Sequence, residues 1–258
     1  MSHPSHSAIP AVSIITPTAG RHAFLPLIAR CVLKQTIDWE WLVHDDSPEP
    51  CAFMVDLCAT DSRVRYFHRR GPRASIGAKR NFLIGEARGA IIAHFDDDDY
   101  YAPHYLADMV RLKRENRANI IKLSDFYVFA PHLEFFGYSE LNARTGPHYL
   151  VTWETVRRFE ISEGTEVGID LLTLYGFSCV YDRHVAVRNV FGDVSMYEDD
   201  AFMRQAIEDG CKIIAVDDRN ASCLHLVHPN STASSFSRFS LPGFLVGRLF
   251  PGYEGYPG

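Results

Sequence analysis

The stretch AIIAHFDDDDYYAP at residues 90–103 decides how the rest of the chain is interpreted. Its apolar part, 90–95, lacks polar alternation and predicts a strand buried on both faces. Four consecutive aspartates follow at 96–99. Carboxylates this close raise one another's pKa unless a positive charge lies among them. Because Mg²⁺ and Mn²⁺ prefer carboxylate oxygens together with substrate phosphates, the run favours a divalent-cation site over a solvated acidic loop.

The flanking sequence predicts an α/β fold. Apolar and β-branched runs predict strands, and helical spacing of apolar residues predicts the segments between them. The predicted strands are 12–16, 40–44, 90–95 and 120–128, and the predicted helices include 25–33, 75–88 and 103–117. This alternation is typical of a mainly parallel central sheet flanked by helices, with a Rossmann-like half. Ligands bind such sheets beyond the carboxyl ends of the strands, where Asp45–Asp46 and Asp96–Asp99 both fall.

The second half of the chain has a less regular pattern. Residues 131–170 mix aromatic, Gly, Pro and charged residues without a clear period, which indicates loops and short elements. Beyond them we expect strands at 176–183 and 211–216 and helices at 184–190 and 200–209. We therefore predict one domain over 11–232, divided at residue 130, between a disordered tail at 1–10 and a C-terminal tail at 233–258. The latter is rich in Ser, Phe, Gly and Pro, so we expect it to be partly disordered or folded over the site.

Composition excludes several classes of protein. The chain has 258 residues, 47% of them hydrophobic, and a formal net charge of −6. A nucleic-acid-binding protein usually shows a basic excess instead. Six cysteines without a CxxC pair indicate reduced thiols rather than a disulfide framework or a zinc site. With no signal-peptide core and no apolar run near ~20 residues, we expect a cytoplasmic protein without a transmembrane segment, leaving peripheral membrane contact open.

Four segments together resemble one known family. They are VSIITPTAGR at 12–21, LVHDDSP at 42–48, GAKRNFLIGEARGAIIAHFDDDDYYAP at 77–103 and VRNVFGDVSMYEDDAFMRQAIEDG at 187–210. In this order and spacing they resemble glycosyltransferase family 2, the inverting enzymes of the GT-A fold.

The resemblance implies a function. It divides the domain into a nucleotide-sugar half at 11–130 and an acceptor half at 131–232. It also implies transfer of a hexosyl or N-acetylhexosaminyl group from a nucleotide-sugar, UDP-linked in most relatives, to a glycan or lipid-linked hydroxyl. Polysaccharide biosynthesis is the expected context, and Mn²⁺ or Mg²⁺ is the expected cofactor.

The resemblance also assigns donor-side residues, which fall at four places in the chain. Pro17 corresponds to the point where the first strand meets the nucleotide, and Asp46 to the acid that binds the base. Arg80, next to Lys79, corresponds to a basic position near the donor. Within the aspartate run, Asp98 is the expected metal ligand and Asp96 lies by the ribose or a metal-bound water. Asp97 occupies a variable position of the donor-side motif.

On the acceptor side, Asp199 corresponds to the catalytic base of the inverting relatives. Inversion requires in-line attack by the acceptor hydroxyl, and a carboxylate must lie within hydrogen-bond reach of that hydroxyl. Asp200 is the alternative base, because Arg204 stands one position earlier than the corresponding arginine of relatives. The same acids also suit the first turn of a helix, where the helix dipole stabilises them. His228 fits, better than His225, a histidine that reaches the metal or diphosphate.

Two other functions are open to a chain of this kind. A sugar-phosphate nucleotidyltransferase would carry a Gly-rich loop after the first strand, but residues 16–21 contain a single Gly. A catalytically inactive GT-A-like binding subunit would keep the fold without turnover. Slow hydrolysis of the donor without an acceptor distinguishes an enzyme from such a subunit.

Overall fold

The structure is a computed structural model that describes residues 9–143, 145–163, 173–229, 231 and 234–255. Its α-helices are α1 Leu25–Leu33, α2 Ala52–Thr60, α3 Ile76–Glu86, α4 Tyr105–Glu115, α5 Arg183–Arg188, α6 Glu198–Glu208 and α7 Leu245–Leu249. The first strands are β1 Val12–Thr18, β2 Trp39–Asp45, β3 Val64–His68, β4 Ile91–His94, β5 Tyr100–Tyr101, β6 Ile120–Leu123, β7 Asp125–Ala130 and β8 Phe135–Glu140. The later strands are β9 Gly146–Val151, β10 Val156–Ile161, β11 Val180–Asp182, β12 Ile213–Val216, β13 Cys223–Leu226, β14 Ser235–Ser237 and β15 Phe239–Leu241.

A central sheet carries the fold. In the described part of the chain it has seven strands in the order β12-β6-β11-β4-β1-β2-β3. All neighbouring pairs are parallel except those of β11, which runs antiparallel to both β4 and β6. The predicted mainly parallel sheet flanked by helices is therefore confirmed.

The central strands are buried on both faces, as their continuous apolar runs predict. Val12 and Ile14 of β1 pack into one apolar cluster, and Ile15 packs into the other. At the carboxyl end, the Thr16 hydroxyl donates to the carbonyl oxygen of Phe95 at 2.8 Å and accepts from Trp41 Nε1 at 2.9 Å. These two hydrogen bonds connect β1 to β2 and to Phe95, the residue that directly precedes the aspartate run.

The second half departs from the sequence expectations. Residues 120–128, predicted as one strand, form β6 in the central sheet and β7 in a second sheet ordered β15-β8-β7-β13-β5. The reason lies in burial: β6 is buried throughout, whereas β7 alternates buried and half-buried residues, as in a sheet with one open face.

Other predicted boundaries also change. Residues 131–170, expected as loops and short elements, contain the six-residue strands β8, β9 and β10, which form antiparallel pairs without long apolar runs. The 52–68 segment, unassigned from the sequence, forms α2 and β3. The expected tail at 233–258 supplies β14, β15 and α7, of which β14 pairs with β9 and β15 with β8. The expected tail at 1–10 lies mostly outside the described residues, and the division at residue 130 stays a prediction.

Helix α3 carries Lys79 and Arg80 to the sheet edge and is fixed at its first turn. The Ser75 side chain caps it by accepting from the Ala78 N–H at 3.0 Å. Gly77 packs so tightly that a Cβ there would lie 1.8 Å from the carbonyl oxygen of Gly192. The first turn of α3 therefore contacts the loop before α6 directly through backbone.

We expect Gly77→Ala and Gly85→Ala to change the free energy of unfolding in opposite directions. Both glycines lie in α3, but a Cβ at Gly85 meets nothing within 4 Å. Gly77→Ala should destabilise the protein by ~1–3 kcal/mol through overpacking. Gly85→Ala should stabilise it by ~0.5–1 kcal/mol, because alanine loses less backbone entropy in a helix. Urea denaturation of both variants measures this, and equal effects would contradict the packing argument.

Candidate active site

The acidic segments end two strands on either side of β1. Asp45 is the last residue of β2 and Asp46 follows it, while Asp96–Asp99 come shortly after β4. Both acidic segments therefore lie at the carboxyl edge that the sequence predicts. A cavity of about 280 Å³ opens there. Its walls include Pro17, Thr18, Arg21, Arg73, Lys79, Arg80, Asp96, Asp97, Asp98, Ser195, His225 and Leu226. We call it the edge cavity.

A larger cavity, of about 410 Å³, lies between α1 and the segment 248–255. It shares Asp98 and Leu226 with the edge cavity. Its other walls are mainly apolar and basic residues, and Pro17, Arg80 and Asp96 are not among them. The edge cavity brings together Pro17, Arg80 and Asp96–Asp98 of the residues that the sequence singles out, so it is the candidate active site. Its lining does not include Asp46, Asp199, Asp200 or His228.

Two of the four aspartates are held by a shared arginine. Asp97 is buried and accepts hydrogen bonds from the Thr18 hydroxyl at 2.5 Å and from Arg21 Nη1 at 2.9 Å. Asp98 Oδ2 lies 2.7 Å from the same Arg21 Nη1 and 2.8 Å from His228 Nε2. Burial and the charge of Asp98 raise the pKa of Asp97 to about 6. Burial would also raise the pKa of Asp98, but the His228 hydrogen bond and the Arg21 charge bring it below its ordinary value.

The other two aspartates have different surroundings. Asp99 is fully enclosed and accepts from His225 Nδ1 at 3.0 Å and from the Leu226 N–H at 2.9 Å, so it fixes β13 to the aspartate run. The side chain of Asp96 is 32% exposed, and one of its oxygens lies 3.9 Å from Arg80 Nη2. Burial of its carboxyl and the neighbouring aspartates raise the pKa of Asp96 to about 8, against the opposing charge of Arg80.

The donor set fits a hard divalent cation. Asp96, Asp98 and Asp99 each place one oxygen within 4.8 Å of the others. Asp99 is turned inward by its own hydrogen bonds, which leaves Asp96 and Asp98 on the cavity wall, with the buried His228 2.8 Å from Asp98. Carboxylate oxygens suit Mg²⁺ and Mn²⁺, and the imidazole nitrogen of His228 adds one further candidate ligand.

Asp45 is a structural residue. It is completely buried and accepts hydrogen bonds from Ser47 Oγ at 2.5 Å, the Tyr66 hydroxyl at 2.5 Å and His22 Nε2 at 2.9 Å. Burial would raise its pKa, but the hydrogen bonds from Ser47 and Tyr66 lower it. Asp45 therefore shapes the end of β2 and presents no oxygen to the cavity.

Asp46 lies one residue further and is linked to the cavity wall. It accepts from Lys79 Nζ at 2.6 Å and from the Ala74 N–H at 2.7 Å. Lys79 also donates to the Thr18 carbonyl oxygen at 2.8 Å. Burial lowers the pKa of Lys79, and the Asp46 hydrogen bond opposes that shift. The pair joins α3 to the ends of β1 and β2.

The acidic turn at 198–200 opens α6, and its three members point to different partners. Glu198 accepts from Arg80 Nη1 at 2.5 Å inside the protein. Asp199 Oδ2 accepts from the Gly176 N–H at 2.7 Å. Asp200 accepts from Arg204 Nε at 2.8 Å, one helical turn along, and from Thr173. Burial would raise the pKa of Asp200, but the Arg204 and Thr173 hydrogen bonds lower it.

His94, at the end of β4, supports the backbone that contacts Asp199. Its Nδ1 lies 3.0 Å from the Gly176 carbonyl oxygen, and its Nε2 lies 2.8 Å from the Tyr181 hydroxyl. A carbonyl oxygen only accepts, so Nδ1 carries the ring proton and Nε2 accepts from tyrosine. Burial, reinforced by the charge of Arg80, lowers the pKa of His94 well below its ordinary value. The ring is therefore neutral.

Sequence reasoning missed three of these contacts. Arg21 ends the quoted 12–21 segment, and its position just after the carboxyl end of β1 was the available signal. Glu198 lies in the quoted 187–210 segment without an assigned role, although its carboxylate pairs with Arg80. The partners of His94 come from distant segments, and no local pattern indicates them. Asp97, given a variable position, has its carboxylate enclosed and doubly hydrogen-bonded.

Comparisons with known proteins agree with this geometry. The model of glycosyl transferase family 2 matches residues 13–185, more than half of the chain, so the chain belongs to that family. An uncharacterized glycosyltransferase of Rickettsia felis is 33% identical over 109 residues, which cover 41% of this chain and only 17% of that relative. The sugar-phosphate nucleotidyltransferase alternative is thereby left without support.

Solved structures show the fold. Staphylococcus aureus TarS 1–349 superposes with a TM-score of 0.62 at 17% identity, covering 83% of this chain and 60% of that one. It has also been solved with UDP-GlcNAc. The mannosyltransferase PcManGT of Pyrobaculum calidifontis, in complex with GDP-Man and Mn²⁺, gives a TM-score of 0.60 at 16% identity, covering 87% of this chain and 59% of that one. The GT-A fold is confirmed.

Of the helices that the structure describes, none combines the length and apolar character that a bilayer crossing requires.

The neutral His94 predicts acid sensitivity. A histidine whose pKa is lower in the folded than in the unfolded state contributes stability above the unfolded pKa and loses it as the pH falls. Compared with His94→Gln, the wild type should therefore lose up to ~1.4 kcal/mol of unfolding free energy for each pH unit below ~6.5. Denaturant titrations of both proteins between pH 7.5 and 5 measure the difference, and parallel curves would contradict it.

Proposed function

We propose that this chain is a metal-dependent, inverting glycosyltransferase that uses a nucleotide-sugar donor. The observation that carries the proposal is that Asp96 and Asp98 line the edge cavity while the buried His228 lies 2.8 Å from Asp98. A carboxylate–imidazole pair at the carboxyl edge of a nucleotide-binding sheet is suited to a cation that neutralises a diphosphate.

The donor would lie along the edge cavity. Pro17 and Thr18 form its wall at the end of β1, and Lys79 links that wall to Asp46. A carboxylate has four lone-pair positions, so Asp46 retains acceptor capacity for the imide N–H of uracil beside its two present donors. The ring N–H of guanine would meet the same acceptor, so the choice of UDP-linked donors, with GDP-linked ones second, rests on the family. The UDP-GlcNAc and GDP-Man complexes of the structural neighbours support a nucleotide-sugar of either base.

The metal would be held by Asp98 and His228, with Asp96 beside the ribose or a metal-bound water. When bound, Mn²⁺ or Mg²⁺ would neutralise the charge that develops on the leaving diphosphate. Arg80 lines the same cavity and adds a fixed positive charge, since burial opposes its charged state but Glu198 and Asp96 keep its pKa above the ordinary value. Asp97 would support the site indirectly, by accepting the hydrogen bond of the Thr18 hydroxyl at the end of β1.

Asp199 is our choice for the general base. Its carboxylate opens α6 and is held by the Gly176 N–H, and a Cβ placed on Gly176 would lie 3.2 Å from Asp199 Oδ2 and 3.5 Å from Arg80 Nη1. The acid is thus near the arginine of the donor cavity. Asp200 is tied to Arg204 in its own helix, and its lowered pKa makes it a weaker proton acceptor.

The acceptor would be a glycan or lipid-linked hydroxyl, and the transferred group a hexosyl or N-acetylhexosaminyl unit. These choices rest on the family alone, as does a role in polysaccharide biosynthesis, whereas the cytoplasmic location rests on the sequence composition. A catalytically inactive binding subunit is the second candidate, because a chain can keep this pocket without turnover.

Donor hydrolysis separates the two candidates. With UDP-GlcNAc or GDP-Man and Mn²⁺, but without acceptor, an enzyme should release the nucleoside diphosphate slowly, whereas a binding subunit should release none. Asp98→Asn should abolish the Mn²⁺-dependent part of this release while its unfolding midpoint in EDTA stays near that of the wild type. Normal Mn²⁺-dependent release by this variant would remove Asp98 from the metal site.

Asp199→Asn and Asp200→Asn form a matched pair for the general base. Asparagine keeps the shape and removes the proton acceptor, so Asp199→Asn should bind the donor normally and lose ~10²–10⁴-fold in turnover. Asp200→Asn should retain turnover within a few-fold. The reverse pattern would transfer the base to Asp200, and a product that retains the donor's anomeric configuration would exclude inversion.

A further inference from the structure

Arg21 has a fixed backbone position next to the aspartate run. It follows Gly20, which adopts a φ of +67° and donates its N–H to Ser47 Oγ at 2.7 Å. The Arg21 carbonyl oxygen accepts from the Phe24 N–H at 3.0 Å, just before α1 begins. Its side chain is only 17% exposed. The loop therefore fixes the backbone from which the guanidinium reaches the wall of the edge cavity.

The guanidinium occupies the oxygen that the metal site needs. Arg21 Nη1 lies 2.9 Å from Asp97 Oδ1 and 2.7 Å from Asp98 Oδ2. The same Asp98 oxygen lies 2.8 Å from His228 Nε2. An arginine does not lose its proton in a protein. A divalent cation on this oxygen would therefore meet a permanent positive charge at short range, where burial makes repulsion strong.

The neighbouring cations of the cavity have other anchors. Lys79 pairs with Asp46 at 2.6 Å, and Arg80 pairs with Glu198 at 2.5 Å, although it also approaches Asp96 at 3.9 Å. Neither Asp46 nor Glu198 belongs to the aspartate run. Among the cations that the structure describes on this wall, Arg21 is thus the one in hydrogen-bond contact with Asp98.

A diphosphate offers Arg21 an alternative partner. A planar guanidinium binds phosphate oxygens through two parallel hydrogen bonds, and Arg21 already lines the cavity proposed for the nucleotide. Turning toward a diphosphate would uncover Asp98 without leaving Arg21 unpaired. Thr18 would continue to hold the other oxygen of Asp97.

We propose that Arg21 is an internal counterion of Asp97 and Asp98 that makes divalent-cation binding depend on the nucleotide diphosphate. Without nucleotide, Arg21 neutralises the two acids and competes with the cation for Asp98. With nucleotide, the diphosphate takes Arg21 and the cation takes Asp98, so each ligand strengthens the binding of the other. The inference rests on the proposed function, since it takes Asp98 as the metal ligand.

The experiment titrates Mn²⁺ into the wild type and Arg21→Gln, with and without saturating UDP, and follows free Mn²⁺ by electron paramagnetic resonance. Without UDP, Arg21→Gln should bind Mn²⁺ about tenfold more tightly than the wild type, within the usual range of coupling between sites. The factor by which UDP tightens Mn²⁺ binding should fall by the same amount. In EDTA, Arg21→Gln should bind UDP more weakly than the wild type, because it lacks the guanidinium.

Arg73→Gln is the matched control. Arg73 lines the same cavity but donates to the Ala19 carbonyl oxygen, so its loss should leave Mn²⁺ affinity without UDP unchanged. In EDTA, the unneutralised aspartates of Arg21→Gln should also lower its thermal midpoint. Mn²⁺ should raise the midpoint of this variant by more than it raises that of the wild type. If the variant does not fold in EDTA, Arg21→Lys, which keeps a cation, should fold and bind Mn²⁺ more weakly than Arg21→Gln refolded with Mn²⁺.

The outcomes separate this inference from the function. Equal Mn²⁺ affinity of Arg21→Gln and the wild type, with Mn²⁺-dependent donor hydrolysis intact, would overturn the counterion role and leave the proposed function standing. Tighter Mn²⁺ binding by Arg73→Gln as well would overturn it too, since any lost positive charge would then suffice. Absence of Mn²⁺ binding to the wild type even with UDP would overturn both.

Discussion

Four adjacent carboxylates at the end of a buried strand repel one another, and the structure depends on how that repulsion is balanced. Each acid has a basic neighbour delivered by a different segment of the chain. Arg80 comes from α3, Arg21 from the loop after β1, His225 from β13, and His228 from the segment beyond it. Because these neighbours are far apart in sequence, balancing the charge also fixes the loops and the second sheet around the edge cavity.

The sequence was sufficient to predict β1, β2 and β4 of the central sheet and the edge at which the acidic segments lie, but not β3. The mainly apolar runs before Asp45 and Asp96 predict strands buried on both faces. The second sheet could not be predicted in this way, because its strands are short and half-exposed and take their order from long-range pairing. The division between β6 and β7 shows the difficulty: apolar residues continue through both, while the burial pattern changes at Ser124.

The candidate site was predicted at the level of residue type and position, and only in part at the level of partners. The family resemblance assigned His228 to the metal together with Asp98, and His228 Nε2 lies 2.8 Å from an Asp98 oxygen. A run of aspartates indicates that positive charge is needed but does not indicate that Arg21, more than seventy residues earlier, supplies it at 2.7 Å from the same oxygen. The choice between Asp199 and Asp200 has the same character. Asp200 has a partner one helical turn away, whereas the partner of Asp199 lies on the distant Gly176.

That distant partner links the two sides of the proposed reaction. Gly176 donates its N–H to Asp199 and directs its carbonyl oxygen to His94, which ends the same strand that leads into the aspartate run. The proposed metal ligands and the proposed base are therefore linked through His94 and Gly176 at the carboxyl end of β4. A neutral His94 suits this position, because a charged imidazolium beside the buried Arg80 would repel the arginine that lies between Asp96 and Glu198. The position of Asp199 relative to the aspartate run is thus fixed by hydrogen bonds of His94 and Gly176 at the carboxyl end of β4.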